Sequence, residues 1–167
     1  MLKKTKISNG VKNKKGFTLI ELLVVVAIMG LLASLAIVAL NTARARARDA
    51  RRVSDIKQIQ TALELYYMDN YKYPASTDGA IEGLCLSATN DFLAACSGTT
   101  YMGQVPSSPK PRTDGACDNS LYTYTAVEVG DNGTDLSYFI TYCLGHATGD
   151  IAAGEHHGTP AGIADDL

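Results

Sequence analysis

From Phe17 to Leu40 the chain carries one charged side chain, Glu21, and from Leu22 to Leu40 it carries none. Nothing else in the sequence narrows the fold so much. As a helix rising about 1.5 Å per residue, these 24 residues extend roughly 36 Å, enough to cross hydrocarbon about 30 Å thick with some tilt. A fully soluble protein is therefore not expected, and 167 residues leave room for one small domain besides.

The formal net charge of -2 conceals a partition. Residues 1–16 hold six lysines (Lys3, Lys4, Lys6, Lys12, Lys14, Lys15) and no acid, whereas residues 17–167 hold nine basic and seventeen acidic side chains, a net of -8. Lysines ahead of an apolar run place that end in the cytoplasm under the positive-inside tendency. An ordinary secretory signal would be cut after its apolar run. Ala33-Ser34-Leu35-Ala36 offers small residues, but cutting there leaves Ile37 to Leu40 on the product, and the run exceeds the usual length of about 7 to 15 residues. An anchor that is never cut is the plainer alternative.

Glu21 is the anomaly within the run. A carboxylate deep in a membrane helix costs on the order of 2.5 to 3.5 kcal/mol, and such residues are functional by default. Near a helix start, the dipole favours its charge by roughly 0.3 to 1 kcal/mol, and a neighbouring cation would favour it further.

The segment Lys14-Lys15-Gly16-Phe17-Thr18-Leu19-Ile20-Glu21, continued by Leu22-Leu23-Val24-Val25-Val26-Ala27-Ile28, resembles the amino terminus of the type IV pilin and type II secretion pseudopilin family, and the resemblance extends over residues 14 to about 73. It implies that a prepilin peptidase cuts between Gly16 and Phe17 and methylates the new amino terminus at Phe17. It further implies that Glu21 attracts the amino terminus of a neighbouring subunit during assembly, and that the partners are other copies of the chain, related pilins and an inner-membrane machine. The alternative is that Glu21 lies in water at the membrane interface or pairs with its own Phe17 amine. Apolar helices attract one another weakly in lipid but strongly outside it, at about 25 cal/mol per Å² of apolar area, so a filament core is the expected destination of residues 17–40.

Beyond Leu40, helix formers continue without Gly or Pro through Arg52. Val53, Ile56, Ile59, Leu63 and Tyr66 recur every three or four residues, with Asp55, Lys57, Gln58 and Glu64 read as off the stripe. One helix from about Phe17 to about Met68 is predicted. No proline precedes Pro74, unlike the many type IV pilins that carry a kinking proline in the membrane half, which leaves Gly30 as the soft point. From Arg44 to Lys57 stand six basic and two acidic residues, while residues 58–167 hold fourteen acids and three basic residues. Such a cluster can bind anionic lipid headgroups or DNA phosphates; pairing of these arginines with acids of neighbouring subunits is expected in preference to nucleic acid, because no stacking aromatic lies among them.

Tyr71-Lys72-Tyr73-Pro74 ends the helix, and Ser76-Thr77-Asp78-Gly79 opens a loop. Residues 121–129 and 136–143 roughly alternate in Tyr, Thr, Val and Ile around Gly130-Asp131-Asn132-Gly133-Thr134-Asp135, which predicts a β-hairpin packed on the helix. The glycine-bearing tail from Gly145 to Leu167 reads as surface loop. The fold class is therefore α+β: a leader at 1–16, a spine whose membrane half is 17–40 and amphipathic half 41–73, and a head at 74–167.

The four cysteines, Cys85, Cys96, Cys117 and Cys143, all lie in the head and suggest disulfides in an exported domain. Three pairings exist, of which Cys85 with Cys96 and Cys117 with Cys143 is the one expected. No cofactor is expected. Adjacent His156 and His157 lack the spacing of a structural zinc site, and Asp131, Asn132 and Asp135 suit a hairpin tip better than calcium, whose EF-hand spacing they lack. No G-x-S-x-G, phosphate loop or H-E-x-x-H occurs, so an enzyme is not expected. The expected product is a structural filament subunit, anchored by one pass of the cytoplasmic membrane with its head outside. Its rivals are an uncut surface binding module and a DNA-binding competence pilin.

Overall fold

A computed structural model describes residues 16–77, 79–128 and 135–164. The leader lysines Lys3 to Lys15, Asp78 in the loop after the helix, and the hairpin tip with Asp131 and Asn132 lie outside the described residues, as does the side chain of Asp135. The chain divides into two compact units, residues 1–40 and 41–167.

One helix, α1, runs from Leu19 to Asn70 and passes through Gly30 without a break. It begins at a capping box: Glu21 N donates to Thr18 Oγ1 at 3.3 Å, while Thr18 N and Oγ1 donate to Glu21 Oε2 at 3.3 and 3.2 Å. It ends where Asn70 Nδ2 donates to Tyr66 O at 2.8 Å and Tyr71 takes a left-handed φ of 56°. The observed limits fall within two residues of those read from the sequence.

In the second unit, seven strands follow: β1 (Cys85–Ser87), β2 (Asp91–Leu93), β3 (Thr100–Met102), β4 (Thr123–Glu128), β5 (Asp135–Leu144), β6 (Gly154–Thr159) and β7 (Gly162–Ala164). They form two antiparallel sheets, ordered β2-β1-β3 and β4-β5-β6-β7. Alternation places Tyr122, Tyr124, Tyr138, Ile140 and Tyr142 on the buried side, where they meet Ile56, Ile59, Leu63 and Tyr66 of α1. The predicted hairpin is β4–β5, with Tyr124 opposite Ile140.

Two expectations are corrected. The tail is not loop: β6 and β7 extend the sheet, with Tyr142 opposite His156 and Ile140 opposite Gly158. Glycines and histidines have low strand propensity, and pairing with the buried strand β5 overrides it. Gly158 also serves close packing, since a Cβ there would lie 2.8 Å from Ile56 Cγ2. Asp55 is not off the stripe but buried, accepting a 3.1 Å hydrogen bond from Tyr122 Oη. Its pKa is raised, chiefly by burial, against which the Tyr122 hydroxyl and the Arg51 charge act. The three-stranded β1–β3 sheet was absent from the sequence reading, because three-residue strands between turns carry too little periodicity to register.

Candidate functional site

The first unit holds the amino-terminal site. Gly16 and Phe17 precede the capping residue Thr18, both are exposed, and nothing lies within 4 Å of a Cβ built on Gly16. The peptide between them is thus outside the helix and open to a protein that would grip it in extended form. Glu21 occupies the third helical position, and both hydrogen bonds that hold its carboxylate use Oε2. The partner that sequence reasoning missed is Thr18; the Thr-x-x-Glu spacing ahead of an apolar run was its signature.

From Phe17 to Leu40 every residue is exposed, with Phe17 at 84% and Leu35 at 64%. The helix that carries this run is long and apolar enough to cross a membrane. The hydroxyl of Ser34 is satisfied within the helix by donation to Leu31 O at 2.7 Å, as hydrocarbon requires. The backbone is self-satisfied and the side chains are greasy, so this segment offers apolar surface to lipid or to similar helices.

In the second unit, the arginines after the apolar run are largely spoken for. Arg52 is fully buried: Nη1 pairs with Asp49 Oδ1, Nε donates to Ser108 Oγ at 3.4 Å, and Nη2 donates to the carbonyls of Pro109 and Pro111 at 3.3 and 3.2 Å. Asp49, also buried, accepts from the backbone N–H groups of Gly145 and His146, each at 2.9 Å. Arg48 Nε donates to Asp114 at 2.7 Å. That hydrogen bond holds the Asp114 carboxyl below the usual carboxylate range; burial opposes it, and the charges of Arg48, Arg52 and His146 add to it. Arg51 faces Asp55 at 3.8 Å. The expectation that these arginines wait for acids of another subunit is corrected for Arg48, Arg51 and Arg52. Their partners are in the same chain: Asp55 and Asp49 lie one turn from Arg51 and Arg52 on α1 itself, and loops 108–117 and 144–146 fold back to supply Asp114 and the backbone partners of Arg52 and Asp49.

Two disulfides are present: Cys85 is bonded to Cys96, which ties β1 to the segment after β2, and Cys117 to Cys143, which staples loop 108–117 to β5. The second sits where backbones meet closely. A Cβ on Gly115 would stand 2.0 Å from the carbonyl oxygen of Gly145, and the φ of Gly115 is +57°, so only glycine fits.

Other constellations do not assemble. His156 is buried with Nε2 2.9 Å from Ala152 O, while His157 lies on the other face of β6 near Thr141. Among the described residues no group of three His, Cys, Asp or Glu side chains is placed to hold a metal ion. A shallow groove of about 390 Å³ runs between α1 and the β6–β7 turn, lined by Lys57, Gln60, Glu64 and Tyr138. Gln60 spends its amide on the carbonyls of Thr159 and Gly162, which ties the β6–β7 turn to α1.

Residues 11–37 match the family model described as a prokaryotic N-terminal methylation motif, and residues 38–113 match the model described as type II secretion system protein G. Several curated proteins named type II secretion system core protein G are similar to the chain. That of Escherichia coli strain K12 is 37% identical over 97 residues, which are 58% of this chain and 66% of the relative. That of Vibrio cholerae serotype O1 is 35% identical over 98 residues, 59% and 66% of the two chains. That of Pseudomonas aeruginosa PAO1 is 38% identical over 80 residues, 48% and 56%. The chain therefore spans just under two thirds of the length of the first two relatives. No solved structure matches it.

Proposed function

The chain belongs to the type IV pilin and type II secretion pseudopilin family, and on that premise we propose that it is a structural subunit of a type II secretion pseudopilus. A prepilin peptidase removes residues 1–16 by cutting between Gly16 and Phe17, and Phe17 is methylated. Residues 17–40 then hold the subunit in the inner membrane, with the head on the far side, until the assembly machine draws it into a filament. The subunit's work is mechanical rather than catalytic.

The observation that carries this reading is a helix whose first half is apolar and exposed all round, headed by one acid in its first turn. Apolar area without a partner in its own chain is what a helical stack of copies would bury, at about 25 cal/mol per Å². Glu21 supports the register: Thr18 holds the carboxylate through Oε2 at the head of the helix, and the proposed role of that carboxylate is to attract a neighbour's amino terminus.

Mass spectrometry of the chain recovered from its own cells tests the reading. A mature product beginning with methylated Phe17 is expected, and Gly16→Val should leave the leader in place. A mature population that retains residues 1–16 would instead favour the uncut anchor.

A further inference from the structure

Once Arg48, Arg51 and Arg52 have been assigned to Asp114, Asp55 and Asp49, two arginines of the basic stretch remain. Arg44 and Arg46 are exposed, and neither forms an ion pair or a side-chain hydrogen bond among the described residues. They stand on α1 four and six residues beyond Leu40, the end of the apolar run, or about 6 and 9 Å of helical rise. If that run fills the hydrocarbon, both guanidinium groups reach the depth of the lipid phosphates.

Their angular placement narrows the partner. Residues two apart on an α-helix point about 200° from one another, so Arg44 and Arg46 emerge on opposite flanks of the helix. Ala45, the residue between them, is buried. The chain itself covers the Ala45 side, and both arginines border the open arc opposite it, where a layer of phospholipid headgroups reaches both at once. The flanking alanines Ala43 and Ala47 leave the long arginine stems free to lie along the helix with their heads at the interface. Guanidinium suits phosphate because its planar fork matches two phosphate oxygens.

We propose that Arg44 and Arg46 form a collar that binds the phosphates of anionic phospholipid in the leaflet where α1 leaves the membrane. The collar fixes the depth of the subunit before assembly, on the side opposite the leader lysines, and it persists when those lysines are cut away. This inference rests on the membrane-spanning reading of residues 17–40. It also explains why a basic cluster is kept on the side of the span that the positive-inside tendency disfavours.

The chain contains no tryptophan, so Leu40→Trp in the full chain supplies a single fluorescent donor beside the collar. The protein is reconstituted in phosphatidylcholine vesicles containing a trace of phosphatidylglycerol or of phosphatidylcholine, each with the same anthroyloxy acceptor on its acyl chain. Energy transfer to labelled phosphatidylglycerol should exceed that to labelled phosphatidylcholine. The underlying enrichment is on the order of fivefold per arginine, and salt at about 0.5 M should shrink it. Arg44→Gln/Arg46→Gln should remove most of the excess while transfer to phosphatidylcholine is retained. Equal transfer to the two lipids in the parent, or an excess that the double variant keeps, overturns the collar. Loss of filaments in cells with an unchanged lipid excess would reassign both arginines to a second copy of the chain. Absence of transfer to either lipid, with the introduced tryptophan emitting as in water, would instead overturn the spanning reading itself.

Discussion

Arg52 and Asp49 are a buried ion pair one helical turn apart, and the stakes at such a site come from the geometry around it. The guanidinium also holds the carbonyls of Pro109 and Pro111, and the carboxylate holds two backbone N–H groups near Gly145, so the pair binds two loops to one helix. Arg52→Leu leaves Asp49 charged in a water-poor pocket and should lower stability by about 3 to 5 kcal/mol, read as a shift in the denaturant midpoint. Asp49→Ala/Arg52→Leu should recover part of that loss. Asp114 gives a pH test. Its folded-state pKa is depressed, so its contribution is complete above the unfolded value of about 3.9 and disappears as pH falls through the lower folded value. Asp55 acts in the opposite sense, its raised pKa favouring the folded state as it becomes protonated. Melting the parent and Asp114→Asn from about pH 6 down to about pH 2, a range that brackets the carboxylate pKa values, separates the two effects. The stability difference between the two proteins should be constant near neutrality and close at the acid end.

At the scale of elements, α1 was legible because periodicity and propensity act along one stretch of chain. Val53, Ile56, Ile59, Leu63 and Tyr66 announce the packed stripe, and Thr-x-x-Glu marks the start. The β4–β5 hairpin was legible for the same reason, its tyrosines alternating at period two. β6 was not, because His156 and Gly158 owe their burial to Tyr142 and Ile140 on the adjacent strand. A residue chosen for a neighbour rather than for strand propensity leaves no local signal. Gly158→Val should confirm this dependence. Its side chain would push on Ile56 and cost about 1 to 3 kcal/mol, whereas the same change at Gly149, which has open space but a φ of +62°, would fail through backbone strain instead. Hydrogen exchange distinguishes the two, since only Gly158→Val should loosen amides of both β6 and the facing turn of α1.

For the whole molecule, the decisive property is the division between a unit that satisfies its own packing and one that does not. Residues 41–167 bury tyrosines, isoleucines and leucines and close their loops with two disulfides. Residues 17–40 bury nothing. Glu21→Ala should therefore leave membrane insertion unchanged, as carbonate extraction would report, while filaments seen by electron microscopy disappear; normal filaments would refute the assembly role of Glu21. By itself the sequence determined that the chain has a long apolar helix with one acid at its head, since the free energy of transferring each side chain from water is a property of that residue and sums along the run. Only the tertiary structure decided which arginines are neutralised and that the tail is sheet. Those outcomes depend on Arg48 meeting Asp114 across 66 positions and Asp49 meeting His146 across 97. Hydrogen bonds and ion pairs belong to two partners at once, and a linear reading holds only one of them at a time.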